Sequence, residues 1–399
     1  MAKAKRSDNR SGKRMKVLVV TGSRSEFGLL RPVIEAIEAR KELQLRVCVA
    51  GEHMVAGTLE EVERHCRVDH RVVMQKRSDR GRLDHAAAFA RGVAGFAGVL
   101  KDEEPAWLVV LGDRIEAFAA ASAAAVAGVA ICHIHGGDRA EGIADEAMRH
   151  AISKLAQLHC AATKTSAARL VKMGEANARV HVTGSPAIDG LNLATPSAVA
   201  GRKSNAATTP PRAVVLLHPG GLGDAEAEVS STLLVAVRTW MNGGDRAWAA
   251  VLLPNSDPGC EAIRETYTRV QRNLKGTDSQ LLFIEKHMPR AMFITMLRDL
   301  RRTGGVLIGN SSAGLIEAAA IGVPVVNLGD RQAGRERGAN VVQCDSLTVE
   351  GILGAIKRAT RSVPKPDTRY GKGDAGVKIA ALLARGASAF GGIGKRNAY

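Results

Sequence analysis

Between Cys132 and His150 the sequence reads CHIHGGDRAEGIADEAMRH, setting three histidines, four carboxylates, two arginines and three glycines within nineteen residues. These side-chain types suit proton transfer near neutral pH, because histidine titrates there and closely spaced carboxylates divide into acid and base. His133, His135, Asp138, Glu141, Asp145, Glu146, Arg149 and His150 are the chemistry-bearing members. Asp145 and Arg149 stand four apart, so on a helix they share a face and can simply pair. The histidines do not fall on one helical face with a carboxylate in the HExxH manner, so the signal for a metal site is weak.

Other polar groups punctuate the chain at intervals. TGSRSEFG (21–28) is a Gly-Ser-Arg turn that opens a helix; it lacks the GxGxxG and GxxxxGK[ST] spacings, so neither a dinucleotide nor a P-loop nucleotide is indicated. The turn either holds an anion on Arg24 or is an N-cap beside a surface arginine. In LGDR (111–114), Asp113 is either the N-cap of the next helix or a crevice carboxylate with the Arg114 cation beside it. Farther on, His218 precedes Pro-Gly-Gly, Asn255 follows VLLP, and GNSSAGLIEA (309–318) joins a strand to a helix. Ser311 and Ser312 hydroxyls with free backbone N–H groups make a phosphate site, Gly314 admits a ligand close to the backbone, and Glu317 can accept from ribose hydroxyls. GDRQAGRERGAN (329–340) adds Arg331, Arg335 and Arg337, suited to a pyrophosphate. The plain alternative for this half is a capped helix followed by a solvated basic loop.

These groups need a frame. Short β-branched runs alternate with helical patterns: KVLVVTG (16–22), LQLRVCVAG (43–51), WLVVLGD (107–113) and VAICHIHGG (129–137) read as strands, with helices over 27–39, 83–100 and 115–127. TPSAVAGRKSNAATTPP (195–211) is poor in large apolar residues and reads as a linker. The pattern then restarts with strands at 213–221, 248–255, 280–285, 305–312 and 323–330. The fold class is therefore α/β, with two doubly wound Rossmann-like domains whose strand ends face a cleft. The expected division is a basic tail (1–15), a first domain (16–194), a linker (195–212), a second domain (213–370) and a C-terminal helical segment (371–399).

Composition narrows the class. At 399 residues, with 45% hydrophobic and 24% charged residues, the chain suits two soluble domains, and 3% aromatics leave the packing to Ala, Val, Leu and Ile. Net charge is +16, of which residues 1–16 carry +6. The remaining basic residues are dispersed, aromatics are few and no nucleic-acid module appears, so a small acidic ligand such as a nucleotide fits better than nucleic acid. No signal sequence or membrane span is read, and the six cysteines lack any CxxC, which suits a reducing compartment.

In order along residues 16–360, TGSRSEFGLLRPVI, LGDR, HIHGGD, RHAISKL, VTGSPAID, LLHPGG, LLPNSDPG, GNSSAGLIEA and NLGDRQAGRERGANV resemble the hydrolysing UDP-N-acetylglucosamine 2-epimerases of sialic acid synthesis. The resemblance implies a glycosyltransferase-B-like fold, a cytoplasmic homodimer, a nucleotide-sugar substrate, no metal and no nicotinamide cofactor. It implies elimination of UDP across C1–C2 of the sugar, then hydration of the glycal with inversion at C2. Asp113 matches a catalytic carboxylate of the family, and Asp145 or Glu146 another. Arg24, Arg114, Ser311, Ser312 and Arg331 match phosphate-holding positions, while His218, Asn255 and Glu317 match positions around the nucleotide and sugar junction.

One position departs from the family pattern. Where many members read His-x-Glu-Gly-Gly, this chain has His133-Ile-His135-Gly-Gly, and the following segment is one residue longer. Either His135 takes the acid/base role, or Asp138 or Glu141 replaces the missing carboxylate; a carboxylate is the expectation, because a histidine beside phosphates tends to be protonated. The His-x-His-Gly-Gly type includes enzymes acting on 2,4-diacetamido-6-deoxy sugars, and guanosine as the base is also compatible. A glycosyltransferase of the same fold is the alternative reading.

Overall fold

The computed structural model describes residues 14–398 except 56, 77, 80, 140–145, 192–209, 224, 243–247, 256, 258, 275–280 and 285–287. Two parallel sheets organise it. The first contains β1 (Met15–Thr21), β2 (Leu43–Ala50), β3 (His70–Val72), β4 (Trp107–Leu111), β5 (Ala130–Ile134), β6 (Leu158–Ala161) and β7 (Val180–Val182). Its order is β3-β2-β1-β4-β5-β6-β7. The second contains β8 (Ala213–Leu216), β9 (Ala249–Leu252), β10 (Leu281–Ile284), β11 (Val306–Gly309), β12 (Val325–Leu328) and β13 (Val341–Cys344), in the order β10-β9-β8-β11-β12-β13. Strand order reverses between β1 and β4 and again between β8 and β11, and at such reversals the flanking loops part to leave a crevice.

The β-branched runs become central strands because both of their faces are covered. Along β1 the side chains alternate, as a period of two requires. Val17 and Val19 pack with the helix Arg24–Glu38, and Leu18 and Val20 pack with the helices Arg82–Glu103 and Ile115–Ala127. Alanine does much of this packing. Ala117, Ala119, Ala120, Ala121, Ala123 and Ala124 are all buried, and a Cβ placed on Gly92 would lie 3.0 Å from the Ala119 Cβ, so these two helices approach closely.

The architecture agrees with the doubly wound reading, with differences in detail. The strands β3, β6, β7 and β13 were not expected; they are three or four residues long, and β3 and β7 form sheet edges. The helix expected from residue 27 begins at Arg24, because Ser23 caps it by accepting the Glu26 N–H. Asp113 is not an N-cap: the helix Ile115–Ala127 starts one residue later, after Arg114, with no side-chain cap. Most of the expected linker lies outside the described residues.

The C-terminal segment crosses back to the first domain. Helix Ala375–Leu383 lies on helix Arg24–Glu38 so closely that a Cβ on Gly376 would sit 2.4 Å from the Pro32 carbonyl oxygen. Ile379, Ala380, Leu383 and Phe390 join the first core, and Trp107 Nε1 donates to the Leu383 carbonyl at 3.1 Å. Among the described residues no helix is long and apolar enough to cross a membrane.

A candidate active site between two switch points

At the end of β5 the chain turns sharply, with His135 at φ +64° and Gly137 at φ +76°. Non-glycine residues seldom adopt the left-handed region, so the turn is held by contacts. His135 Nδ1 lies 3.3 Å from Asp138 Oδ2, and its Nε2 lies 2.9 Å from Ser185 Oγ. The second Asp138 oxygen accepts from Ser166 Oγ at 2.7 Å. Burial pushes the Asp138 carboxyl up, but the His135 hydrogen bond and charge, Arg335 and Ser166 outweigh it and hold the group below its usual range. Ser185, His135 and Asp138 thus have the connectivity of a Ser-His-Asp relay. Ser185 is fully buried and its oxygen accepts the Ala187 N–H, so it fixes the ring instead of attacking a substrate. Asp138, with both oxygens engaged, orients His135 and does not stand in the cleft as the missing carboxylate. Glu141 and Asp145 lie outside the described residues.

Helix Glu146–Leu155 supplies the next layer. Arg149, almost fully buried, pairs with Asp113 Oδ2 and, at 3.0 Å, with Glu146 Oε2, and donates to the Asp138 carbonyl at 3.1 Å. Burial, then Arg335, both oppose its charge and push the guanidinium down to about 9. His150 lies 3.3 Å from Glu146 Oε1. His133 is structural: Nδ1 meets Ser153 Oγ at 3.1 Å, Nε2 meets the Gly112 carbonyl at 2.8 Å, and burial pushes its pKa down to about 3. Donation from Nε2 to that carbonyl sets the Gly112 turn that carries Asp113.

The opposing crevice is built from β8, β9, β11 and the loop after β12. Asn310 clamps His218, accepting its N–H at 2.8 Å and donating to its carbonyl at 2.8 Å. The Asn255 N–H donates to His218 Nδ1 at 3.1 Å, leaving the ring proton on Nε2. Burial, reinforced by Arg331, pushes His218 down to about 3, so near neutrality it is an uncharged donor. Asp257 gathers cations from both domains: Arg331 Nη2 at 3.0 Å and Arg114 Nη1 at 3.8 Å. Arg331 also donates to the Pro219 and Asn310 carbonyls at 3.0 and 3.4 Å.

Ser311 N-caps the short helix Ser312–Leu315 by accepting the Ala313 N–H. Gly314 differs from its expected role: a Cβ there would meet Val325 Cγ1 at 2.9 Å, so the glycine admits β12 and not a ligand. Glu317 Oε1 receives Arg290 Nη1 at 3.0 Å, and Arg290 also donates to the Ala187 carbonyl of the first domain. Beside Arg331, a pocket of about 270 Å³ is walled by Leu217, Gly220, Glu226, Asn310 and Leu328. Buried Glu226 shapes its rim by accepting the Gly220 and Leu222 N–H groups at 2.6 and 3.1 Å.

Two groups thus assemble across the cleft. Asp113, His135 and Glu146 gather around Arg149 and Asp138 in the first domain; His218, Asn255, Ser311, Ser312 and Arg331 gather at the second switch point. Arg114 bridges them through Asp257. Arg24 is a bridge too, pairing with Glu61 at 2.6 Å and donating to the Met288 carbonyl of the second domain. Sequence reasoning passed over Asp257 and Arg290. Asp257 stands two residues beyond Asn255 in the same strand-end loop and was within reach of that logic; Arg290 opens a helix and has no local signature.

Comparison with known proteins gives this arrangement a family. A family model described as UDP-N-acetylglucosamine 2-epimerase matches residues 35–384. The chain is 32% identical over 362 residues to the UDP-N,N'-diacetylbacillosamine 2-epimerase (hydrolyzing) of Legionella pneumophila, covering 89% of this chain and 90% of that protein. It is 30% identical over 349 residues to a UDP-N-acetylglucosamine 2-epimerase of Neisseria meningitidis, with 86% and 87% covered. The crystal structure of a Neisseria meningitidis UDP-GlcNAc 2-epimerase bound to UDP-GlcNAc superposes with a TM-score of 0.75 at 19% identity, covering 93% of this chain and all of that one. The Methanocaldococcus jannaschii UDP-GlcNAc 2-epimerase in complex with UDP-GlcNAc and UDP gives 0.75 at 16%, with the same coverage. The fold is accordingly the two-domain glycosyltransferase-B-like one. Because the family model runs through both sheets and the Legionella relative matches along nine-tenths of its length, this chain belongs to the UDP-N-acetylglucosamine 2-epimerase family.

Proposed function

We propose that the protein is a hydrolysing 2-epimerase, acting in the cytoplasm as a homodimer, that converts UDP-N-acetylglucosamine to UDP and free N-acetylmannosamine for sialic or sialic-like acid synthesis. The observation that carries this reading is the pairing of two unlike crevices. Carboxylates around Arg149 face hydroxyls and a cation around Arg331, and Arg114 and Asp257 join them. A nucleotide sugar spanning the cleft would set its diphosphate on Ser311, Ser312 and Arg331, with its base in the pocket beside Leu217 and Leu328 and its sugar against Asp113 and Glu146.

In the first step a carboxylate, Asp113 or Glu146, takes the C2 proton while the C1–O bond breaks and UDP departs, leaving the glycal. Arg331 and the serine hydroxyls stabilise the charge that accumulates on the diphosphate, and neutral His218 can donate from Nε2. In the second step water adds at C1 and a proton returns to C2 on the opposite face. Two proton-transfer groups on different sides of the ring are therefore needed. The second is His135, in the position where the family pattern has glutamate, once Ser185 releases its Nε2, or else Glu141 of the segment that follows.

Incubation with UDP-N-acetylglucosamine and no acceptor should release UDP and a free 2-epimerised sugar in equal amounts, read by coupled UDP assay and NMR. UDP release only when an acceptor is added would replace the reading with a glycosyltransferase. The Legionella relative's name supports a second reading, in which the sugar is 2,4-diacetamido-6-deoxy. Release from that nucleotide sugar alone would select it.

A further inference from the structure

The loop after β12 reaches across the cleft and seats on the first domain. Arg335 Nε donates to the Arg139 carbonyl at 3.2 Å. Glu336 receives the hydroxyls of Thr163, through Oε2, and of Thr165, through Oε1 at 2.9 Å. The Glu336 carbonyl is in turn held by Tyr370 OH at 2.9 Å. Thr163 is the N-cap of helix Lys164–Lys172, accepting the Ser166 N–H at 3.0 Å, so Glu336 also brings negative charge to that helix start.

From Thr163 the contacts run inward without a break. Thr163 Oγ1 is 3.1 Å from Ser166 Oγ, which is 2.7 Å from Asp138 Oδ1, and Asp138 holds His135. Thr163, Ser166, Asp138 and His135 are all buried, so no bulk water competes for these bonds. Each hydroxyl has one proton. Ser166 gives its proton to Asp138. When Glu336 is seated, Thr163 gives its proton to Glu336; when Glu336 is withdrawn, that proton turns to Ser166 Oγ and makes Ser166 a stronger donor to Asp138. A more strongly solvated Asp138 is a weaker acceptor for His135 Nδ1–H, and the hold on the ring loosens.

We infer that Glu336 is a positioning residue that reports docking of the second domain's loop to the Asp138–His135 pair through the hydroxyls of Thr163 and Ser166. Arg335, delivered by the same loop, faces Asp138 and favours its charged form. The inference rests on the proposed function only where turnover is measured.

The test is a double-mutant cycle of Glu336→Ala, which removes the acceptor for the Thr163 hydroxyl, and Ser166→Ala, two substitutions that leave the Thr163 cap intact. Each should lower kcat for UDP release roughly three- to tenfold, the coupling expected within one hydrogen-bond network, with KM changed less than about twofold. The double variant should be no slower than Ser166→Ala. A second readout needs no turnover: in ¹⁵N-histidine protein with and without UDP, the His135 imidazole signals, assigned with His135→Gln, should shift in Glu336→Ala. They should not shift further when that change is added to Ser166→Ala. Multiplicative losses in kcat, or unmoved His135 signals in Glu336→Ala, would overturn the inference. A wild type that releases no UDP yet shows the coupled imidazole shifts would instead remove the proposed reaction and leave the relay standing.

Discussion

Glu26 sits beneath the Gly22–Ser25 turn with its carboxyl accepting the Gly22 N–H at 2.7 Å. Burial pushes its pKa up from 4.5 to about 8, the Gly22 hydrogen bond and Arg114 pull the other way, and Glu116 adds to the rise. The folded state therefore holds a proton that the unfolded chain loses near 4.5. Stability from this group is full below pH 4.5 and declines as pH rises towards 8, by up to about 1.4 kcal/mol per unit. Gln keeps an acceptor for Gly22 and does not titrate. Urea unfolding should show Glu26→Gln gaining on wild type between pH 5 and pH 8, by an amount on the order of 4 kcal/mol. Parallel pH profiles for the two proteins would mean that Glu26 ionises in place. The same turn explains why Gly22 is glycine: a Cβ there would lie 2.6 Å from Glu116 Cγ.

Among the elements, β11 is tightly prescribed at its last residue. Gly309 ends it at φ +152°, and a Cβ would come within 1.9 Å of the Leu216 carbonyl oxygen of β8, a backbone atom with nowhere to go. Gly309→Ala must part β8 from β11 at the second switch point, or forfeit the turn that presents Ser311. A loss of about 3 kcal/mol or more is expected in denaturant melts, together with weaker UDP binding; wild-type stability and affinity would show that the strand ends can separate freely. Elements of this kind were legible because their signals are local. β1, β2, β4, β5, β8, β9, β11 and β12 are apolar β-branched runs that end in polar residues, and the chemistry sits at those ends. What stayed illegible depends on distance along the chain. His70–Val72 and Val180–Val182 are too short to show a period, and nothing near Ala375 signals that its helix packs on Arg24–Glu38. Asp113 was read from position alone, yet its partner Arg149 comes from a helix beyond two further elements.

At the scale of the whole molecule, the C-terminal tail closes the first domain around a buried charge. Glu175, with no exposed side-chain surface, meets His159 Nε2 at 2.9 Å in a hydrogen bond and pairs with Lys154 Nζ at 2.9 Å and Lys395 Nζ at 2.7 Å. Lys395 also donates to the Ser153 and Ala156 carbonyls at 2.8 and 2.7 Å, at the C-terminal end of the helix that carries Glu146 and Arg149. Arg179 holds the Gly392 and Gly394 carbonyls, and the Ala398 N–H donates to Gly174. Burial pushes the Lys395 ammonium down to about 8, against the pull of Glu175. The carboxylate is the group whose charge the fold clearly supports, since burial raises it and three donors still hold it down to about 2. The sign follows: stability from Glu175 is present above pH 4.5 and is lost as pH falls through about 2. Glu175→Gln should cost about 3 kcal/mol near pH 7, with the deficit shrinking below pH 4.5 and vanishing near 2. Hydrogen exchange at the Ala398 amide should quicken in the same variant, because the tail loses its anchor while the core strands keep theirs. A deficit that stays constant from pH 7 to pH 3 would assign the loss to packing and leave the tail without its electrostatic tie.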